Sequence, residues 1–412
     1  MAEMSTGQSR VSLFADRGLP LVMEYGVYLF AFLMLAGRLG TFRETGLYLP
    51  AVLWLLRCLL KKEVDLAGRE PLFIALLALS LSAEVSSLLS PSPLQSLHFF
   101  KREYLKILLL YVVISTTFAF PGRLKKFALF LAFTGIVYLA AGCSRVFADF
   151  SALGSINYDE TRDYASTFLF FFPFFVLQAV GATGFKRGLW MIPVVGSVAG
   201  IFIIGVRGSW LALAGSACMW IYALGGRTRS LSAPLRAGVP AVLAIILLVF
   251  VLFPGQYALI RGHTLAKVQL SLRAETWKNF LTMSGERLIT GHGLNDAAMS
   301  GHYRDFYERV KGTFREGFQP DTPHNQFLKI LYQQGVLGLL LYISLLGTLF
   351  FRVMRTFLRR REKDYALVGI AVIGVVLGEY VIRCLTEDRS LVPLGLLLGT
   401  AGAYLNLREE GG

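Results

Sequence analysis

Charge is scarce in this 412-residue chain: Asp, Glu, Lys and Arg make up only 17% of it, against 55% hydrophobic residues. A soluble domain of this length needs far more polar surface, so a large water-soluble protein is excluded. Cysteine is scarcer still. Cys58, Cys143, Cys218 and Cys384 are scattered in or beside apolar segments without Cys-x-x-Cys spacing, which excludes a disulfide framework and a cysteine metal site. No His/Asp/Glu spacing points to a bound metal, and no internal repeat or low-complexity tract is visible. A cleavable signal is not expected either, because the first eighteen residues are polar and the first apolar run should act as an uncleaved anchor.

What the chain does have is long apolar runs. A spanning helix needs about 20 mostly apolar residues to cross a hydrocarbon core ~30 Å thick. Such runs are expected near 19–36, 46–60, 71–90, 104–120, 127–142, 166–184, 189–205, 209–225, 238–254, 336–353, 366–383 and 391–407. The expected architecture is all-α and polytopic, with about 12 transmembrane helices. One large external helical loop falls between the ninth and tenth spans. The chain divides accordingly into residues 1–254 (helices 1–9), 255–335 (the loop region) and 336–412 (helices 10–12).

The formal charge of +14 suggests nucleic acid, but the basic residues lie in short clusters between apolar runs, where they set topology instead. Connections at 61–70, 121–126, 185–188, 226–237 and 354–365 carry the richest clusters, the last with Arg355, Arg359, Arg360, Arg361 and Lys363. These are assigned to the cytoplasm, and residues 255–335 to the opposite face. Within that segment, Leu270–Leu281 and Phe327–Gln334 show apolar residues at helical spacing and are expected to be short helices.

The informative residues are arginines on the unfavoured side: Arg38, Arg102, Arg207, Arg273, Arg383 and Arg389 among them. Several arginines meeting at one membrane interface make an anion site, because the planar guanidinium suits phosphate and stays charged. Arg207 sits in Gly205-Val-Arg207-Gly-Ser-Trp210, a break between two spans too short for a solvated loop. His324 follows Pro323, where one helix ends and another can start, and imidazole suits proton transfer near neutrality. Intramembrane Glu24, Glu84 and Glu379 support a rival from another class, a secondary transporter or flippase. The paired halves common in such folds are not visible, and Glu379 has Arg383 one turn away.

Two stretches carry a family resemblance. Gly205-Val-Arg207-Gly-Ser-Trp210-Leu-Ala-Leu and Pro323-His324-Asn325-Gln-Phe327 resemble motifs of the O-antigen ligase/polymerase (WaaL/Wzy) superfamily. Between them, Arg273-Ala-Glu-Thr-Trp277 and Gly291-His-Gly293 resemble the same family's Arg-x-x-x-Trp and Gly-x-Gly elements. The resemblance implies a multi-pass protein of the bacterial inner membrane with its active site facing the periplasm. It implies an inverting, metal-independent glycosyltransferase without cofactor. O-antigen would pass from undecaprenyl pyrophosphate to the lipid A-core, with membrane lipids as the other partners and no nucleic acid. By the same resemblance His324, Arg207 and Arg273 are catalytic. Arg38, Arg102, Arg383, Arg389 and Asn325 are expected to bind substrate, and Asn325 also to orient the histidine or cap the following helix. One long external loop favours a ligase over the alternatives, an O-antigen polymerase or a protein O-glycosyltransferase.

Overall fold

The computed structural model describes residues 18–34, 39–61, 70–153, 158–225, 263–311 and 322–408. Its elements are helices: α1 (Leu19–Leu33), α2 (Gly40–Lys61), α3 (Pro71–Leu88), α4 (Pro93–Phe100), α5 (Lys106–Thr117), α6 (Pro121–Leu153) and α7 (Tyr158–Gly181). They continue with α8 (Gly184–Ile204), α9 (Arg207–Gly225), α10 (His263–Gly285), α11 (Asp296–Lys311), α12 (Gln326–Arg359), α13 (Ala366–Val375) and α14 (Val392–Leu405). No strand occurs among the described residues. Each expected span falls on a helix except 238–254, which lies outside the described residues. Six of the described helices are long and apolar enough to cross a bilayer.

Composition dictates which helix is central. From Ala366 to Val375 the chain is apolar all round and every residue is buried; a helix without a polar face needs neighbours on every side. Peripheral helices instead turn leucine, isoleucine and phenylalanine outward, as with Leu59, Ile192 and Phe351, and lipid is the solvent that tolerates this. Small residues set the closest approaches. Gly395, Gly399 and Gly402 form one stripe on α14, and a Cβ at Gly399 would stand 2.9 Å from the Leu110 carbonyl of α5. Without a hydrophobic drive between helices in lipid, such close backbone packing is what holds them together.

The two ends of the bundle differ. At one end, Arg352 pairs with Glu70 at 2.5 Å, Lys125 with Asp364 at 2.6 Å, and Arg123 with Glu24 at 3.9 Å. These residues lie in or beside the connections that the charge pattern groups on one side. The opposite end gathers the α3–α4 junction, the α8–α9 turn, the segment 286–296, the start of α12 and the α13–α14 connection.

A break in α12 organises that second end. Gly335 has φ +70°, where an L side chain is disfavoured, and it separates a half-helix at 326–334 from the membrane-crossing remainder. The carbonyls exposed by the break are capped by Gly291-His292-Gly293. The His292 and Gly293 N–H groups donate to Tyr332 and Gln333 at 2.9 Å, and Val336 N–H donates to Leu288 at 2.7 Å. The loop lies so flat on this backbone that a side chain at Gly291 would run into Gln333.

Candidate active site

The chain reaches the half-helix of α12 through Thr322-Pro323-His324-Asn325. Asn325 is the N-cap: its carboxamide oxygen accepts from Phe327 and Leu328 N–H at 3.0 and 3.1 Å. Its amide donates to the Leu385 carbonyl at 3.1 Å, which ties the helix start to the α13–α14 connection. Immediately before it, His324 has φ +47°, and no other non-glycine among the described residues has positive φ. A bulky residue held there costs of order 1–3 kcal/mol and persists only where its surroundings over-determine it. Here the restraint comes from both flanks. The Trp277 indole donates to the Pro323 carbonyl at 3.0 Å, and Asn325 is fixed as cap.

The α13–α14 connection brings Asp388 to the histidine. His324 Nδ1 lies 3.7 Å from Asp388 Oδ1, and the Thr322 hydroxyl donates to the same oxygen at 2.9 Å. Lys329, one turn into α12, holds Asp388 Oδ2 at 3.4 Å and Asp296 at 3.0 Å. Burial by itself would push the Asp388 carboxyl up, but His324, Lys329 and Thr322 together hold it well below the ordinary carboxylate range. Burial likewise works against the Lys329 charge, and Asp296 and Asp388 overcome it and raise the ammonium. The imidazole side chain is 41% exposed, so the carboxylate-backed histidine is open to a reactant. That geometry suits a general base.

An arginine–carboxylate chain backs the connection. Arg383 is fully buried, with Glu379 at 3.3 Å and Glu387 at 3.1 Å, one turn to either side. Glu387 also pairs with Arg389, and Arg389 reaches Asp163 at 3.5 Å. Burial pushes the Glu387 carboxyl up, but Arg383, Arg389 and Arg162 outweigh it and lower it overall. Arg389 N–H donates to the Gln326 side chain at 2.9 Å, a second tie to the start of α12.

The α8–α9 turn packs against this connection. Gly205 has φ +80° and ends α8, Trp210 donates to the Ile201 carbonyl at 3.2 Å, and Val206 caps the new helix from Ser209 N–H at 3.0 Å. Arg207 is the first residue of α9, and a Cβ on its neighbour Gly208 would come within 2.7 Å of Thr386 Oγ1. The backbone of Arg207 therefore borders the Arg383–Thr386 turn.

The remaining expected residues are more dispersed. Arg273 is exposed on α10, one turn before Trp277 and on the same face. Arg102 is exposed in the π-helical turn Lys101–Leu105 between α4 and α5. Arg38 lies outside the described residues. Arg383, expected at the substrate, has no surface to offer one. Of the carboxylates that favoured a transporter, Glu24 accepts from Tyr28 at 2.6 Å and Glu379 pairs with Arg383, while Glu84 is half-buried on α3. Asp388, Thr322 and Lys329 were missed by the sequence reading. The one available signal was Glu387-Asp388, an acidic pair in a short connection on the arginine-bearing side.

His292, His302 and Glu286 converge, with one potential ligand atom from each lying within 4.8 Å of the others. They are separated in sequence by 6 and 10 residues across three elements, so spacing alone carries no sign of them.

Asp388→Asn is expected to lower stability by about 1.5–3 kcal/mol, the worth of charge-assisted hydrogen bonds. Because the folded carboxyl titrates below its unfolded value of about 3.9, this contribution is full above that value and is lost only as pH falls through the folded one. The gap in melting temperature between wild type and variant in detergent should therefore be present at neutral pH and narrow below about pH 4. A gap that persists undiminished well below about pH 4 would show that the Asp388 charge does not carry it.

No curated protein matches this chain. The family model described as O-antigen ligase does, over residues 192–343. The matched stretch runs from α8 into the membrane-crossing part of α12 and includes Arg207, Arg273, His324 and Asn325. With its bilayer-length helices, the chain is a multi-pass membrane protein whose residues 192–343 match the O-antigen ligase family, and that match supports an enzyme of glycosyltransferase type in O-antigen processing.

Proposed function

We propose that this chain is a ligase that transfers O-antigen from undecaprenyl pyrophosphate to a hydroxyl of the lipid A-core, at the periplasmic face of the inner membrane. The observation that carries it is the strained, half-exposed His324, backed by Asp388 and set beside the Arg207 end of α9. His324 Nε2 takes the proton of the acceptor hydroxyl as its oxygen attacks the anomeric carbon. The bond from that carbon to the pyrophosphate oxygen breaks, its electron pair leaves with the pyrophosphate, and in-line attack inverts the centre.

Charge growing on the leaving oxygen needs fixed donors. Arg207 stands at the first position of a helix, where free backbone N–H groups and the helix dipole already favour an anion. Arg273 projects from the helix that holds Pro323, and Arg389 lies beside the start of α12. Arg38 and Arg102 are further contacts for the glycan or pyrophosphate. Removing one preorganised donor of this kind costs about 3–4 kcal/mol of transition-state stabilisation. Arg383 holds Glu387, and Asp388 orients the histidine.

The acceptor distinguishes ligase from polymerase. Purified protein in detergent, given lipid-linked glycan and lipid A-core, is expected to form a core-linked product. A product in which donor units add only to one another would make the chain a polymerase. Transport that needs a closed vesicle, with no new glycosidic bond in detergent, would overturn the enzyme reading.

A further inference from the structure

We propose a divalent metal site, of zinc type, at Glu286, His292 and His302, separate from the His324 centre. The three come from different elements: the turn after α10, the loop that caps the α12 half-helix, and α11. Glu286 Oε2 lies 3.8 Å from His292 Nε2 and 3.2 Å from His302 Nε2. Zinc bound tetrahedrally at about 2.0–2.1 Å sets neighbouring ligand atoms about 3.3–3.4 Å apart. The ion therefore fits between these atoms with small side-chain shifts.

Tyr332 prepares both imidazoles. His292 Nδ1 meets the Tyr332 carbonyl at 3.3 Å, which only accepts, so the proton is on Nδ1 and the lone pair on Nε2. The His292 ring also stacks on the Tyr332 ring, with centroids 4.4 Å apart and planes 4° from parallel. His302 Nδ1 lies 2.9 Å from the Tyr332 hydroxyl, so that with Nε2 on a metal its Nδ1–H has an acceptor in place. Metal-bound histidines characteristically have the second nitrogen fixed in this way. Two imidazoles and one carboxylate match zinc's preferences. Glu286 is 45% exposed, which leaves the fourth position to water.

Bound there, the ion would staple α11 and the 286–293 segment to the half-helix that starts beside His324. Its role is to hold this face together, and it takes no part in the transfer.

Tag-free protein in detergent, stripped with a chelator and dialysed, is to be titrated with Zn²⁺ alone by calorimetry. The expected result is one ion per chain and a higher melting temperature. His292→Ala and His302→Ala should abolish the stoichiometric site, while His324→Asn leaves it unchanged. Tyr332→Phe keeps the ring stack but removes the hydroxyl, and should weaken binding by about 10–100-fold. Because the histidine variants touch packed positions, the exposed Glu286→Gln serves as a variant that keeps the fold and is expected to lose affinity. Wild-type protein that takes up no stoichiometric zinc overturns the site. So does uptake undiminished in His292→Ala, His302→Ala and Glu286→Gln.

Discussion

His324→Asn is expected to lower glycan transfer by about 10²–10⁴-fold, the usual worth of a positioned general base, with insertion and melting temperature close to wild type. Asparagine is chosen because the position demands positive φ, 47° in the native chain. Asn adopts that conformation more readily than most residues, whereas Ala would add a backbone cost to the loss of the imidazole. A companion variant separates strain from chemistry. His324→Gly relaxes the backbone entirely, so it should melt slightly above wild type and still be inactive, the signature of strain held at a working site. Transfer by His324→Asn within about tenfold of wild type would remove the histidine from the general-base role.

Arg383→Ala should act on the fold. The guanidinium is fully buried between Glu379 and Glu387, and its loss strands both carboxylates in an environment that cannot solvate them. Breaking a buried ion pair from one side costs about 3–5 kcal/mol, so the expected result is a large fall in melting temperature and little folded protein. Arg383→Lys should recover only part of this, because a single ammonium cannot fork to two carboxylates as guanidinium does. Thermal unfolding in detergent, measured beside transfer activity, decides the matter. An Arg383→Ala protein that melts like wild type yet transfers nothing would return this arginine to the substrate.

Membrane class, most helix positions and the grouping of helix ends followed from local features. Apolar length and the bias of Lys and Arg act on each segment independently of the others, which is why they can be read one segment at a time. The same holds for the Gly205 turn, the helix start after Pro323 and the Asn325 cap, each set by residues within a few positions. Arg207 stood out by its tight turn between two spans, His324 and Arg273 were singled out through family motifs, and the geometry then gave the histidine a strained backbone and a carboxylate partner. Partnership across the chain was another matter. Asp388 lies 64 residues beyond His324, and Glu286, His292 and His302 meet only because the break at Gly335 needs a capping loop. Nor could composition tell a buried arginine that serves two glutamates from an exposed one that serves a substrate. Those distinctions depend on which surfaces the packed helices leave open. Charge type is written in the sequence, while burial and pairing arise when distant segments close on one another and exclude water.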